Sequence, residues 1–193
     1  MSVIVAVKEN GVVYFGADSQ TTAGKRKYNY LNETGFKVYR ADNGMLLGFC
    51  GRVGARQTIL SVKDVFTLDE RGDLTKRHIV TKIIPKLVDK MEDVGNEESG
   101  ALDVNILLGY KDKLYKITSA LEVVKLNEYI ASGAGEEFTY YALCAWKDMP
   151  VRERILKALS TSAKFEESVC GPYVLIDTEN LEYEIVDLGG ENH

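Results

Sequence analysis

Apolar residues open the chain in an unbroken run, Val3-Ile4-Val5-Ala6-Val7, followed by Asn10-Gly11 and a second stretch ending in Gly16-Ala17-Asp18. Short apolar runs separated by an Asn-Gly pair predict two strands joined by a tight hairpin. The pattern predicts strands over 2–8, 12–17, 36–40 and 45–50, with Ala41-Asp42-Asn43-Gly44 turning the second hairpin. The rhythm then changes to helical spacing. A helix is predicted over 52–69 and another over 77–94, where Val80, Ile83, Ile84, Leu87, Val88 and Met91 recur three and four apart while Lys82, Lys86, Lys90 and Glu92 fall between. That stripe reads as core packing. The polar stretch Gly95-Asn96-Glu97-Glu98-Ser99-Gly100 ends it, strands return over 103–110, 114–118, 121–126 and 128–132, helices over 136–147 and 151–165, and strands close the chain over 173–176 and 183–187. Strand blocks alternating with helix pairs predict an α+β fold, a four-layer αββα sandwich of two antiparallel sheets covered by helix pairs.

Composition narrows the picture. With 193 residues, 45% of them hydrophobic, and only 3 prolines, the chain is expected to form a single domain over 1–193, with no Pro-, Ser- or Gly-rich linker. A formal net charge of −5 and the lack of a dense basic run argue against a nucleic-acid partner. No apolar stretch reaches the roughly 18 residues of a membrane span, and the start lacks the pattern of a secretory signal. A cytoplasmic location without a membrane partner is the expectation. Cys50, Cys144 and Cys170 are odd in number and widely spaced, which fits reduced thiols better than a disulfide framework or a zinc site. No metal and no cofactor are expected.

The chemistry concentrates at Ser2. Removal of Met1, which a small second residue usually permits, would place a hydroxyl and a free α-amine on one residue at the head of a strand. An α-amine titrates at roughly 7.7 to 8.0, so it can accept the proton of its own hydroxyl near neutral pH. With Met1 attached, the same nitrogen is a peptide nitrogen and no base. Only His78 and His193 are available for a histidine-based triad, and His78, in Lys76-Arg77-His78, reads as a solvated residue at a helix start.

Several motifs in order carry a resemblance. Ser2-Val3-Ile4-Val5-Ala6-Val7, Asn10-Gly11-Val12-Val13, Gly16-Ala17-Asp18-Ser19-Gln20, Lys37-Val38-Tyr39-Arg40 and Gly48-Phe49-Cys50-Gly51 resemble the proteasome β-subunit and HslV peptidase family of N-terminal nucleophile hydrolases. The match runs from 2 to about 176 and is strongest over the first 55 residues. It implies that Ser2 is the nucleophile, Lys37 the lysine beside it and Asp18 the carboxylate that orients that lysine. Gly51 would supply an oxyanion-hole amide at the start of a helix, or only permit a tight strand-to-helix turn. Phe49 would line the pocket for the residue before the scissile bond, or fill the core. Ser132, in Ala131-Ser132-Gly133, matches a serine that hydrogen-bonds the terminal amine. Glu167 and Cys170 stand where the family commonly has Asp and Ser, a longer carboxylate and a weaker hydrogen-bonding thiol. Serine also replaces the family's usual threonine, whose methyl restricts χ1.

The resemblance implies a peptidase acting on peptides or unfolded protein inside a homo-oligomeric ring, with an ATP-dependent unfoldase as a candidate partner. The alternative is a catalytically inactive scaffold subunit that retains Met1. A third reading, an amidase or transpeptidase on the same site, remains open because fold does not fix substrate.

Overall fold

The computed structural model describes residues 2–23, 26–29, 35–62, 64–92 and 102–189. Met1, His193 and the polar stretch 95–100 lie outside the described residues. The elements run β1 (Val3–Glu9), β2 (Val12–Asp18), β3 (Gln20–Ala23), β4 (Arg26–Asn29), β5 (Val38–Arg40) and β6 (Leu46–Gly51), then α1 (Val53–Leu60), α2 (Lys76–His78), a π-helical turn (Ile79–Ile83) and α3 (Ile84–Glu92). β7 (Val104–Tyr110), β8 (Lys113–Ile117), β9 (Val123–Leu126), β10 (Tyr129–Gly133), α4 (Glu136–Ala145), α5 (Val151–Phe165), β11 (Tyr173–Asp177) and β12 (Glu184–Val186) complete the chain. The fold is α+β. One sheet has the order β10-β1-β2-β11-β12, a second the order β5-β6-β7-β8-β9, and β3 pairs with β4 as a separate ribbon. All these pairings are antiparallel.

The unbroken apolar run of β1 now has a reason. Successive side chains of a strand point to opposite faces, and here both faces are covered. Val3, Val5 and Val7 pack with Leu143, Ile155 and Leu159 of α4 and α5, whereas Ile4 and Ala6 pack with Leu46, Leu107 and Leu114 of the second sheet. A third cluster joins Leu47, Phe49, Ile106 and Leu108 of that sheet to Ile59, Ile79, Ile83 and Leu87 of the helices beyond it.

Phe15 and Gly16 repeat the logic on β2. The Phe15 ring sits over two bare glycines of the second sheet: a Cβ on Gly109 would lie 2.5 Å from it, and one on Gly48 3.1 Å from it. Gly16 faces the other way, and a Cβ there would lie 2.5 Å from Ile155 of α5. The β1–β2 turn has Asn10 at φ 51° and Gly11 at φ 82°, the left-handed pair that suits a two-residue hairpin.

Element boundaries depart from the sequence reading in identifiable ways. The helix predicted over 52–69 stops at Leu60, because Ser61 turns the chain back, its hydroxyl donating to the Thr58 carbonyl at 2.7 Å, and Val65 and Phe66 enter the core without helix. The helix predicted over 77–94 is interrupted by the π turn just before Pro85. Proline lacks the amide that an α-helix would pair with the carbonyl four residues back, and its ring crowds that carbonyl; widening the turn relieves both. The β3–β4 ribbon was not foreseen, since Gln20-Thr21-Thr22-Ala23 and Arg26-Lys27-Tyr28-Asn29 carry no apolar alternation. Leu121, predicted as strand, has φ 66° and closes a turn through its amide on the Thr118 carbonyl.

Removing the ring between the sheets should be expensive. Phe15→Ala is expected to cost about 3–5 kcal/mol, and Gly109→Ala, which drives a methyl into that ring, about 1–3 kcal/mol. Both are read from urea denaturation midpoints at unchanged slope.

Candidate active site

Ser2 lies immediately before β1, a strand paired on both sides, by β10 and by β2. Its position is therefore set by two ladders rather than by a loop. The Ser2 carbonyl accepts the Ala134 amide at 2.8 Å and the Cys50 thiol at 3.8 Å. Gly133 has φ 121°, and a Cβ there would collide with the Ser2 carbonyl and the Cys50 sulfur. Only glycine lets β10 close so tightly on the chain start.

Asp18, at the end of β2, is 1% exposed, and Lys37, just before β5, is 3% exposed. Lys37 Nζ lies 2.7 Å from Asp18 Oδ1 and donates to the Gln20 carbonyl at 2.6 Å. Asp18 also accepts the Val3 amide on Oδ1 at 2.8 Å and the Gln20 amide on Oδ2 at 3.2 Å. Burial pushes the Asp18 carboxyl up, opposed by the Lys37 charge and by these hydrogen bonds. Burial pulls the Lys37 ammonium down, opposed by Asp18 and reinforced by the like charge of Arg56. A lysine so placed is a poorer proton holder than one in water.

Ser2, Thr21, Lys37, Phe49, Gly51, Val53, Arg56 and Val104 line one cavity of about 30 Å³. Four of the residues singled out from sequence thus meet there: Ser2, Lys37, Phe49 and Gly51, with Asp18 directly behind Lys37. Gly51 has φ 145°, and a Cβ would strike the Asp103 carbonyl, so the residue that ends β6 and leads into α1 must be glycine. Phe49 is a core residue that also borders the cavity. It packs edge-on against Tyr39 and Phe66, with ring centroids 5.8 and 6.2 Å away.

Other sequence candidates sit differently. Ser132 pairs with Ile4 across β10 and β1 and is fully buried; its hydroxyl has no hydrogen-bond partner among the described residues and does not line the cavity. Glu167 and Cys170 contribute main chain: the Glu167 carbonyl accepts Gln20 Nε2 at 2.9 Å, the Cys170 carbonyl accepts the Ser19 amide at 3.3 Å, and Cys170 backbone hydrogen-bonds Asp18. They brace the Asp18 turn from behind. His78 is half-buried rather than solvated, its Nε2 2.9 Å from the Thr67 hydroxyl. Sequence reasoning missed Gln20, whose carbonyl and amide hold the ion pair, and Arg56, whose charge faces the same cavity. The three cysteines are free thiols, and among the described residues no group of three His, Cys, Asp or Glu side chains could hold a metal ion. No helix among them is long and apolar enough to cross a membrane.

Solved structures share this architecture. BPH of Thiobacillus denitrificans superposes with a TM-score of 0.73 at 16% identity, over 91% of this chain and 96% of that one. Anbu, the ancestral beta-subunit of Yersinia bercovieri, gives 0.71 at 16% over 97% and 87%. The eukaryotic HslV of Trypanosoma brucei gives 0.64 at 15% over 91% and 98%. The chain has the fold of the proteasome β-subunit and HslV type of N-terminal nucleophile hydrolases. No protein-family model matches its sequence, and no curated protein matches it significantly.

Two outcomes follow from this geometry. Asp18→Asn strands a buried ammonium and is expected to destabilise by about 3–5 kcal/mol; adding Lys37→Met should recover part of that loss, a coupling read from a double-mutant denaturation cycle. Burial pushes the Cys50 thiol up from 9.0 to about 11. Since the folded state raises the value, this contribution to stability is complete below the unperturbed 9.0 and is lost as pH climbs toward about 11. Cys50→Ala should flatten that decline, and at pH 7.5 iodoacetamide should label exposed Cys144 well before Cys50, as read by peptide mass spectrometry.

Proposed function

We propose that the chain is a proteasome-like peptidase that hydrolyses peptide bonds through an N-terminal serine exposed by removal of Met1. Ser2 Oγ attacks the carbonyl of the scissile bond and its own α-amine takes the hydroxyl proton. The Lys37 ammonium, held by Asp18, lowers the cost of the developing alkoxide, and the Gly51 amide faces the oxyanion of the tetrahedral intermediate. The amine returns its proton to the leaving nitrogen, and water then releases the acyl group from Ser2. The observation that carries this reading is the convergence of Ser2, Lys37 and Gly51 on one cavity with Asp18 bonded both to Lys37 and to the amide of Val3.

The same reading takes the chain as one domain in four layers, a reading supported by the three packed clusters between and outside the sheets. It also takes the protein as cytoplasmic and as a subunit of a homo-oligomeric ring, with peptides or unfolded chains as substrate and an ATP-dependent unfoldase as a candidate partner. The alternative, an inactive scaffold subunit that keeps Met1, draws support from Ser132, whose buried hydroxyl has no partner among the described residues.

Intact mass of untagged protein from the native host separates the two: a chain lighter by one methionine is expected, and full retention overturns the peptidase. Fluorogenic peptide turnover by the processed chain should rise with pH through a value below the free-amine range of about 7.7 to 8.0, because Lys37 and Arg56 disfavour a further positive charge, and fall about 10³-fold or more in Ser2→Ala. Equal turnover by the variant removes Ser2 as nucleophile. BPH of Thiobacillus denitrificans is also known in complex with epoxomicin; that compound should raise the melting temperature of the processed chain and not of Ser2→Ala.

A further inference from the structure

Arg56 lies on α1 and is 7% exposed. Its Nη1 donates to the Phe36 carbonyl at 3.3 Å, its Nε is buried with no partner among the described residues, and its Cζ stands 6.0 Å from the Tyr39 ring centroid. No carboxylate among the described residues forms an ion pair with it. A guanidinium carries five N–H donors, and a buried charge left without a counter-ion is costly. This one borders the Ser2 cavity.

The cavity has positive charge in excess. Lys37 is matched by Asp18, whose two oxygens are already engaged by Lys37 and by the amides of Val3 and Gln20. Among the described residues nothing comparable matches Arg56, and its charge is felt at Lys37. Beside Ser2, Thr21 and Gly51, the lining includes the apolar side chains of Phe49, Val53 and Val104, which strengthen a charge interaction made against them. A volume of about 30 Å³ exceeds the 10–15 Å³ or so that a single water needs by this measure; it suits a carboxylate and is small for an aromatic ring.

We propose that Arg56 selects substrates with an acidic side chain, Asp or Glu, in this cavity, so that cleavage follows an acidic residue. The side-chain carboxylate accepts hydrogen bonds from the guanidinium and supplies the missing counter-charge. Placement of the scissile bond rests on the peptidase reading; the recognition of a carboxylate does not.

The test therefore begins with binding to Ser2→Ala, which cannot turn over. Fluorescein-labelled tetrapeptide amides ending in Asp or Glu are expected to bind about 10- to 100-fold more tightly than those ending in Asn or Gln, by fluorescence anisotropy. Adding Arg56→Met should erase the difference, whereas Arg56→Lys should keep part of it; melting curves exclude unfolded variants, and the selectivity of the unaltered cavity decides the matter alone. Equal binding of acid and amide peptides, or binding of neither, overturns the proposal. So does tighter binding of a free-acid Asn peptide than of the Asp amide, since a terminal carboxylate would then be the ligand. With the processed chain, kcat/KM should favour Asp and Glu peptides by a similar factor. Acid-selective binding without hydrolysis upholds Arg56 and removes the peptidase, whereas hydrolysis indifferent to charge overturns Arg56 and leaves the peptidase standing.

Discussion

The Asp18 carboxylate ties together three stretches of chain at one point. It accepts the amide of Val3 at the head of β1, the amide of Gln20 where β3 begins, and the ammonium of Lys37 before β5. Taking two ions out of water costs several kcal/mol each, and their attraction repays that only when the remaining hydrogen bonds are made. Here they are made, because Lys37 also reaches the Gln20 carbonyl and Cys170 backbone closes on Asp18 from behind. An ion pair of this kind is weak as a source of stability. What it provides is placement: an ammonium fixed at the cavity that Ser2 also lines, where a solvated lysine would wander through many rotamers.

That placement needs a rigid frame, and the sheet packing supplies it. β1 is held by a strand on each side and by an apolar layer on each face, so Ser2 leads directly into a strand fixed from four directions. Two glycines then bring main chain within reach of it. Gly133 admits the Ser2 carbonyl where any side chain would collide, and Gly51 lets β6 turn into α1 beside the cavity. The sheets come close for the same kind of reason, the Phe15 ring filling the space that Gly48 and Gly109 leave.

Much of this was legible in the sequence where one physical cause dominated. The run Val3-Ile4-Val5-Ala6-Val7 has no polar side to face water, which marks a strand covered on both faces, and Asn10-Gly11 is a backbone requirement written as residue type. Ser2 could be named from its place behind Met1 at the head of a strongly patterned strand, whereas Asp18, Lys37 and Gly51 were named through the resemblance of the motifs that hold them. Ser132 was named through the resemblance, and its place opposite Ile4 on β10 was not foreseen, since no local pattern encodes which strand pairs with β1. The roles of Glu167 and Cys170 were hidden because main chain does the bonding, and any side chain would serve. Arg56 was hidden by its setting. In Arg52-Val53-Gly54-Ala55-Arg56-Gln57 two arginines four apart read as one solvated helix face, yet Arg52 is exposed and Arg56 is buried under the Phe36 carbonyl.

The buried arginine and the proposed nucleophile bear on each other through charge. If Met1 is removed, the Ser2 amine joins a small cavity that already holds Lys37 and Arg56 against a single carboxylate. A third positive charge there is disfavoured by both neighbours, so the neutral amine, the form able to accept a proton, is the one the surroundings tolerate. An acidic substrate side chain seated on Arg56 would cancel one of those charges without touching Asp18. Recognition and proton acceptance would then rely on separate counter-ions: the substrate's carboxylate for Arg56, and Asp18 for Lys37. Because α1 carries the first cation and the β1–β2–β5 junction fixes the second, the fold allows one to change while the other stays in place.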